Sequence, residues 1–183
     1  MTKCHCLMAD DHPVVRRGVR DLLEAEGLCS KVHEVGSGQD ALEAIRQAPW
    51  DLLILDVALP DVHGLEVLKE AKRIQPSLPV LMLSLYPEKE FALRAIKSGA
   101  SGYLTKESAP SELVVAVRQI LKKGRYITAS LADQLAMAFE YGETGSSHAS
   151  LSDREMQVLR LLGKGKPVSV IAADLHLSVK TVS

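Results

Sequence analysis

The stretch Leu52-Leu53-Ile54-Leu55-Asp56 consists of four aliphatic residues followed by one acid. A short, continuous apolar run of this kind predicts a strand that is buried on both faces of a sheet, as the strands of parallel sheets are. The acid then falls at the carboxyl end of the strand, which is the edge where open α/β sheets bind ligands. Asp56 is therefore the first candidate for a functional residue.

Three other apolar runs also end near side chains that can bind ions or phosphoryl groups. One run precedes a pair of acids, one ends in a hydroxyl, and one leads to an ammonium group. Because the carboxyl ends of parallel strands meet at the same edge of a sheet, we expect these groups to lie together. The runs and their polar residues are Leu7-Met8-Ala9 with Asp10 and Asp11, Leu81-Met82-Leu83 with Ser84, and Gly102-Tyr103-Leu104-Thr105 with Lys106.

Apolar runs alternate with segments of helical periodicity over the first two thirds of the chain. Five such alternations predict an α/β fold with a doubly wound, five-stranded parallel sheet and helices on both of its faces. Pro13 in a first helical turn and glycines after several helices mark helix boundaries. Strands are predicted near 4–9, 31–35, 51–56, 79–84 and 102–104, and helices at 13–26, 38–47, 64–75, 87–98 and 110–122.

The C-terminal third of the chain has a different organisation. After one further helix and a Gly/Ser-rich flexible linker, helical signals return in short segments. Ser152, with Glu155 three residues later, forms a capping box. We expect a small all-α domain that is incomplete, because the sequence stops barely one turn into its third helix. The segments are the helix at 129–140, the linker at 141–148, and helices from Ser152, from about Val168 to Leu175, and after Ser178.

The composition describes a soluble globular protein. Of its 183 residues, 46% are hydrophobic and 25% are charged, which suits one domain plus a small second one. The net charge of −1 gives no global field that would favour nucleic acid or a membrane. No apolar run approaches the roughly 18 residues of a membrane span, and the early acids Asp10 and Asp11 argue against a secretion signal. We expect a cytoplasmic protein with no membrane partner.

The three cysteines, Cys4, Cys6 and Cys29, are an odd number and fit a reducing compartment. Cys4-His5-Cys6 has the outline of a metal clip, but it lacks a second pair of ligands. Because alternate residues of a strand share a face, we interpret these cysteines as packed within a strand.

The charged groups at the predicted sheet edge suit a divalent cation. Buried carboxylates need a cation to neutralise them, and Mg²⁺ prefers hard oxygen ligands. We expect Asp11 and Asp56 to be direct ligands of Mg²⁺, with Asp10 acting through water. The backbone carbonyl of Ala58, just beyond Asp56, is a further expected ligand.

Asp56 is also the candidate nucleophile, because an aspartate can attack a phosphoryl group and form an aspartyl-phosphate. Lys106 and Ser84 can stabilise the charge on the phosphoryl oxygens. Aspartate-based phosphohydrolases need a general acid two residues after the nucleophile, and Ala58 cannot serve as one. Its presence favours a phosphorylated state that is stable enough to signal.

These motifs together resemble the receiver domain of bacterial two-component response regulators, in particular the NarL/FixJ-type subgroup. The downstream segment resembles the first half of a LuxR-type helix-turn-helix. The resemblance implies the strand order 2-1-3-4-5, a receiver domain at 1–125, a linker with one helix at 126–149, and a partial DNA-binding domain at 150–183. The motifs that carry it lie at 8–13, 59–64, 99–106, 151–159 and 171–182.

The resemblance implies a signalling and transcription protein rather than an enzyme. Asp56 is expected to accept a phosphoryl group from the phosphohistidine of a sensor histidine kinase, with Mg²⁺ as the cofactor. Ser84 and Tyr103 are the expected switch pair, in which Ser84 moves toward the phosphate and Tyr103 turns inward. The family uses this change to dimerise or to release the DNA-binding domain, so we expect a homodimer on activation. The expected contacts to promoter DNA are Ser178, Lys180 and Thr181.

Two features depart from the family pattern. Leu85 follows Ser84, where a small residue is usual, and we expect it to narrow access to Asp56. The sequence also stops at Ser183, before the recognition helix is complete, and an apolar stretch precedes Ile171 where a polar one is usual. An alternative function is therefore a receiver that acts as a phosphate sink or a protein-docking module without binding DNA.

Two other patterns have competing interpretations. Residues 36–41, Gly-Ser-Gly-Gln-Asp-Ala, mimic the fingerprint of dinucleotide-binding sites. The strand before them is more polar than such a site prefers, and this interpretation leaves Asp10 and Lys106 without a role. His12 and His63 lie near the expected site, and we interpret them as surface or packing residues.

Overall fold

The computed structural model describes residues 4–140 and, beyond them, Val170. Within this part of the chain, strands and helices alternate as far as the fifth helix. The strands are β1 (Cys4–Ala9), β2 (Cys29–Val35), β3 (Leu52–Asp56), β4 (Val80–Ser84) and β5 (Gly102–Thr105). The helices are α1 (Pro13–Ala25), α2 (Gly38–Gln47), α3 (Gly64–Ile74), α4 (Glu88–Lys97), α5 (Ala109–Lys123) and α6 (Ala129–Glu140).

The five strands form one parallel sheet in the order β2-β1-β3-β4-β5. The predicted α/β class and strand order are therefore confirmed. β3 lies at the centre of the sheet and every one of its residues is buried, as expected of a parallel strand that is covered on both faces. Leu53 and Leu55 belong to the core formed with α2, α3 and α4, whereas Leu52 and Ile54 belong to the core formed with α1 and α5.

The strand β2 begins at Cys29, earlier than the start that the sequence predicts. Cys29 pairs with Cys4, and the register shifts between this pair and the next one, His5 with Lys31. The Cys29 side chain is buried. Ser30 and Lys31 follow with exposed side chains. Because they are polar, the sequence shows no apolar run at the start of this strand. Cys4, Cys6 and Cys29 are buried free thiols of the sheet, in agreement with a packing role.

The sixth helix packs against the side of the sheet that carries α4. Leu131 is buried in the same core cluster as Phe91 of α4, and Leu135 packs against that cluster. Thr128 Oγ1 accepts a hydrogen bond from Leu131 N at 3.2 Å and donates to the Glu88 carboxylate at 2.8 Å. The helix expected beyond α5 is therefore present, and both apolar and polar contacts join it to α4.

The elements predicted after α6 lie outside the described residues. They are the linker at 141–148, the helices of the small domain, and the expected DNA contacts Ser178, Lys180 and Thr181. The chain divides into two units, Met1–Glu140 and Tyr141–Ser183, and the assignment of 126–149 as a linker stays a prediction. Among the described helices, none is both long and apolar enough to cross a membrane.

Candidate functional site

The carboxyl edge of the sheet brings together polar side chains from four strands. Asp10 follows β1 and Asp56 ends β3, and these two strands are direct neighbours in the sheet. Both carboxylates are buried, and Asp10 is completely inaccessible to solvent. Ser84 ends β4 and Lys106 follows β5. The residues that the strand-end pattern selects therefore belong to one edge of the sheet.

Lys106 supplies positive charge between the two buried carboxylates. Its Nζ lies 2.7 Å from Asp56 Oδ2 and 2.8 Å from Asp10 Oδ2, and its side chain is only 8% exposed. The Lys106 backbone N donates to Ser84 O at 2.7 Å, which holds the end of β5 beside β4. Burial lowers the pKa of the Lys106 ammonium, but the attraction of Asp56 and Asp10 outweighs burial and holds that pKa above its usual value. Lys106 is therefore a permanent cation at neutral pH.

Asp56 is held at both of its carboxylate oxygens. Oδ2 accepts a hydrogen bond from Lys106 Nζ, and Oδ1 accepts one from Ala58 N at 3.1 Å. Burial raises the pKa of Asp56 above its usual value, Lys106 offsets part of this rise, and the charge of Asp10 adds to it. A further cation beside this carboxylate would therefore be stabilising.

Asp11 and His12 complete a four-residue group at this edge. Asp10, Asp11, His12 and Asp56 each offer one ligand atom, and these atoms all lie within 4.8 Å of one another. His12 Nδ1 lies 2.7 Å from Asp11 Oδ1 and 3.1 Å from Asp10 Oδ1. Carboxylate oxygens are preferred ligands of Mg²⁺, so the three aspartates fit the expected magnesium site. The ammonium of Lys106 lies between Asp10 and Asp56 and already neutralises part of the negative charge of this group.

The loop after β3 folds back closely onto the backbone of Asp56. Gly64 N donates to Val57 O at 2.9 Å, and a Cβ at Gly64 would clash with the Asp56 carbonyl oxygen and lie 2.7 Å from Val57 Cα. Only glycine fits such an approach of two backbone segments. His63, just before Gly64, is buried at the N-cap of α3, where its Nδ1 accepts a hydrogen bond from Leu65 N at 3.3 Å. This position agrees with the packing role that we assigned to it.

A short series of hydrogen bonds leads from Ser84 to Tyr103. Ser84 Oγ accepts from Tyr86 N at 3.0 Å, and Tyr103 OH donates to Tyr86 O at 2.9 Å. Tyr103 is 1% exposed and belongs to the core on the α4 side of the sheet, so its ring occupies an inward position. Leu85, between Ser84 and Tyr86, is 69% exposed. Its side chain therefore lies on the surface beside the sheet edge.

Asp61 is a structural residue of this region that the sequence pattern does not reveal. Its carboxylate accepts hydrogen bonds from Gly38 N at 2.7 Å and Gln39 N at 2.9 Å, at the start of α2. Burial raises the pKa of Asp61, but hydrogen bonds from backbone N–H groups outweigh burial and hold that pKa below its usual value. A dinucleotide-binding site would need this helix N-terminus for a pyrophosphate. A carboxylate of the protein itself occupies it, which argues against that interpretation.

Comparison with known proteins finds two families along the chain. Residues 6–118 match the response regulator receiver domain, and residues 149–183 match the bacterial regulatory proteins of the luxR family. The chain belongs to the two-component response regulators. Its receiver domain and LuxR-type DNA-binding domain make this response regulator a NarL/FixJ-type protein of transcription regulation.

Its relatives align over nearly the whole chain. The chain is 36% identical over 178 residues to the response regulator UvrY of Escherichia coli strain K12, covering 97% of this chain and 82% of UvrY. It is 38% identical over 180 residues to the transcriptional activator protein ExaE of Pseudomonas putida, covering 97% of this chain and 84% of ExaE. The solved structure of two RcsB dimers bound to two parallel DNAs has a TM-score of 0.66 at 26% identity, covering 99% of this chain and 87% of that one. These relatives are signalling and transcription proteins by name.

Proposed function

We propose that this response regulator accepts a phosphoryl group on Asp56 from the phosphohistidine of a sensor histidine kinase and thereby controls transcription. The observation that carries the proposal is the setting of Asp56, a buried carboxylate at the sheet edge with Lys106 Nζ 2.7 Å away. Receiver domains bind Mg²⁺ at their acidic pocket, and Asp10 and Asp11 supply carboxylate oxygens beside Asp56. These residues together support the transfer of a phosphoryl group to this position.

The transfer exchanges one bond to phosphorus for another. A carboxylate oxygen of Asp56 forms a bond to the phosphorus, the phosphorus–nitrogen bond breaks, and the imidazole of the kinase keeps the electron pair and takes up a proton. Bound Mg²⁺ would reduce the repulsion between the carboxylate and the phosphoryl oxygens. Lys106 acts at the same place, because its ammonium attracts those oxygens and keeps its charge throughout. Asp11, Asp56 and the Ala58 carbonyl would hold the ion directly and Asp10 would act through water. Ala58 N orients the Asp56 carboxylate.

We assign Ser84 and Tyr103 to the switch that carries the signal away from Asp56. A phosphoryl group on Asp56 offers charged oxygens to which the Ser84 hydroxyl can donate. A shift of Ser84 toward them weakens its hydrogen bond from Tyr86 N, and Tyr86 O accepts a hydrogen bond from Tyr103 OH. Because Tyr103 already lies inward, the signal in this proposal acts on the Tyr86 loop and does not turn Tyr103 inward as the sequence led us to expect. The Tyr86 ring also packs on Phe91 of α4, with ring centroids 4.8 Å apart. Phosphorylation thus biases the arrangement of one loop and of the helix that follows it.

The proposed output is DNA binding by the C-terminal domain. The match of residues 149–183 to the luxR family and the DNA-bound RcsB dimers support it. The same match favours this output over a receiver that acts only as a phosphate sink or docking module. We infer that phosphorylation favours a homodimer, and that Lys180 neutralises a DNA phosphate while Ser178 and Thr181 make polar contacts.

Intact mass spectrometry tests the phosphorylation site. The wild-type protein, incubated with acetyl phosphate and Mg²⁺, is expected to gain one phosphoryl adduct, and Asp56→Asn is expected to gain none. Asp133→Asn is the matched control, because Asp133 is an exposed acid on α6, and it should be labelled like the wild type. An adduct that persists in Asp56→Asn contradicts the assignment.

A further inference from the structure

His12 brings an imidazole nitrogen to a group that otherwise consists of carboxylates. The proposed phosphoryl transfer uses only oxygen ligands and leaves His12 without a role. His12 Nδ1 lies 2.7 Å from Asp11 Oδ1, 3.1 Å from Asp10 Oδ1 and 3.4 Å from Lys106 Nζ. The same nitrogen therefore faces the carboxylate oxygens that would hold an ion.

The formal charges at this edge favour a divalent cation with a neutral ligand. The three aspartates of the group carry three negative charges when ionised, and Lys106 neutralises one of them. A divalent ion neutralises the other two, so an uncharged imidazole can join the site without changing this balance. Imidazole binds metals in its uncharged form. The His12 side chain is 52% exposed, which leaves it free to adjust its ring and leaves space for water ligands.

The spacing of the candidate ligand atoms suits one six-coordinate ion. Opposite ligands of an octahedral ion with bonds of about 2.1 Å lie about 4.2 Å apart. The four candidate atoms lie within 4.8 Å of one another, so small side-chain rotations bring them to such distances. Mg²⁺ selects oxygen ligands and water, whereas imidazole suits later first-row ions such as Ni²⁺ and Zn²⁺.

We propose that His12 is a nitrogen ligand of this site and gives it a preference for first-row transition ions, such as Ni²⁺, over Mg²⁺. Carboxylates alone already bind Ni²⁺ more tightly than Mg²⁺ to some degree, and the imidazole enlarges that difference. The quantity that reports on His12 is therefore the ratio of the two dissociation constants. A change in the affinity for one ion alone is less specific.

Isothermal titration calorimetry of the full chain with NiCl₂ and MgCl₂ measures this ratio. His12→Ala is expected to weaken Ni²⁺ binding by about tenfold or more, with Mg²⁺ binding nearly unchanged. The variant should fold, because the His12 side chain makes no capping hydrogen bond to α1. His5→Ala, at an exposed histidine of β1, is the matched control and should bind both ions like the wild type. Asp11→Asn should weaken the binding of both ions.

Proton NMR gives a second readout of the same contact. On addition of Ni²⁺ below one equivalent, the imidazole signals of His12 are expected to broaden before those of the other histidines. An unchanged Ni²⁺/Mg²⁺ ratio in His12→Ala, or a Ni²⁺ site that survives Asp11→Asn, overturns the proposal and leaves His12 as a hydrogen-bond partner of Asp11 only. These titrations use unphosphorylated protein, so their outcome does not depend on whether Asp56 accepts a phosphoryl group.

Discussion

Replacement of Lys106 by methionine is expected to lower the free energy of unfolding by about 3–5 kcal/mol at neutral pH. The Lys106 ammonium lies 2.7 and 2.8 Å from two carboxylates, of Asp56 and Asp10, that are almost completely buried. Methionine keeps much of the apolar packing of the lysine chain but leaves both negative charges without their cation. The expected loss is this large because removing one partner of a buried ion pair leaves the other charge uncompensated in an interior that solvates it poorly.

The cost of Lys106→Met should depend on pH in a direction that the pKa shifts determine. Burial already raises the pKa of Asp56, and loss of the ammonium raises it further. A carboxyl with a raised pKa penalises the fold only where it is ionised, so the deficit is largest at neutral pH and shrinks as pH falls toward the usual Asp pKa of about 3.9. Because the pKa of Lys106 is raised, its own deprotonation removes stability only above its ordinary pKa of 10.5. The fall of the deficit in acid therefore comes from protonation of the carboxylates.

Urea unfolding followed by circular dichroism, at neutral and mildly acidic pH, measures this deficit. Lys72→Met is the matched control, because Lys72 is partly buried and its Nζ donates to the Leu78 carbonyl at 2.9 Å. It should cost no more than about 3 kcal/mol, the upper value for one hydrogen bond with a charged partner. Mg²⁺ at a hundred times its dissociation constant should raise the free energy of unfolding of Lys106→Met by about 2.7 kcal/mol. A deficit no larger than that of Lys72→Met, or one independent of pH, refutes the role of Lys106 as counter-charge.

Two further substitutions test the surroundings of Asp56. Gly64→Ala should destabilise the protein by about 1–3 kcal/mol in thermal unfolding, because its Cβ strikes the Asp56 carbonyl. Gly18→Ala meets no atom within 4 Å and should stabilise α1 by roughly 0.5–1 kcal/mol. Leu85→Ala should speed labelling by acetyl phosphate in time-resolved mass spectrometry, whereas Val115→Ala, exposed on α5, should not. Unchanged or slower labelling of Leu85→Ala would contradict a gating role.

The parallel strands and the polar side chains at their carboxyl ends could be predicted from apolar periodicity, whereas the strand order was implied by the resemblance to receiver domains. Four aliphatic residues before Asp56 predict a strand buried on both faces, and the parallel order then places Asp10, Ser84 and Lys106 at the same edge. The strand β2, whose predicted start differs from the observed one by more than one residue, has exposed polar side chains directly after Cys29. An exposed edge strand carries less of the apolar signal on which such a prediction depends.

The contacts of the loops could not be predicted in the same way. Asp61 reaches Gly38 and Gln39 across a gap of more than twenty residues, and no local pattern couples these positions. His12 follows the acid pair Asp10-Asp11 directly, but whether its ring turns toward the carboxylates or toward solvent depends on the rotamer that the start of α1 allows. Such choices are made by tertiary contacts rather than by propensity.

The packing of α6 against the core cluster that includes Phe91 decides where a receiver of this kind can be joined to another output domain. Leu131 is buried among residues of the sheet domain, and Leu135 packs on the same cluster. A protein that ends after α5 would expose the apolar surface that α6 covers, which includes Phe91. It would also lose the hydrogen bond between Thr128 and Glu88. A chimera that joins this receiver to a foreign output domain should therefore place the junction beyond Glu140. Such a junction keeps α6 with the unit Met1–Glu140, to whose core Leu131 belongs.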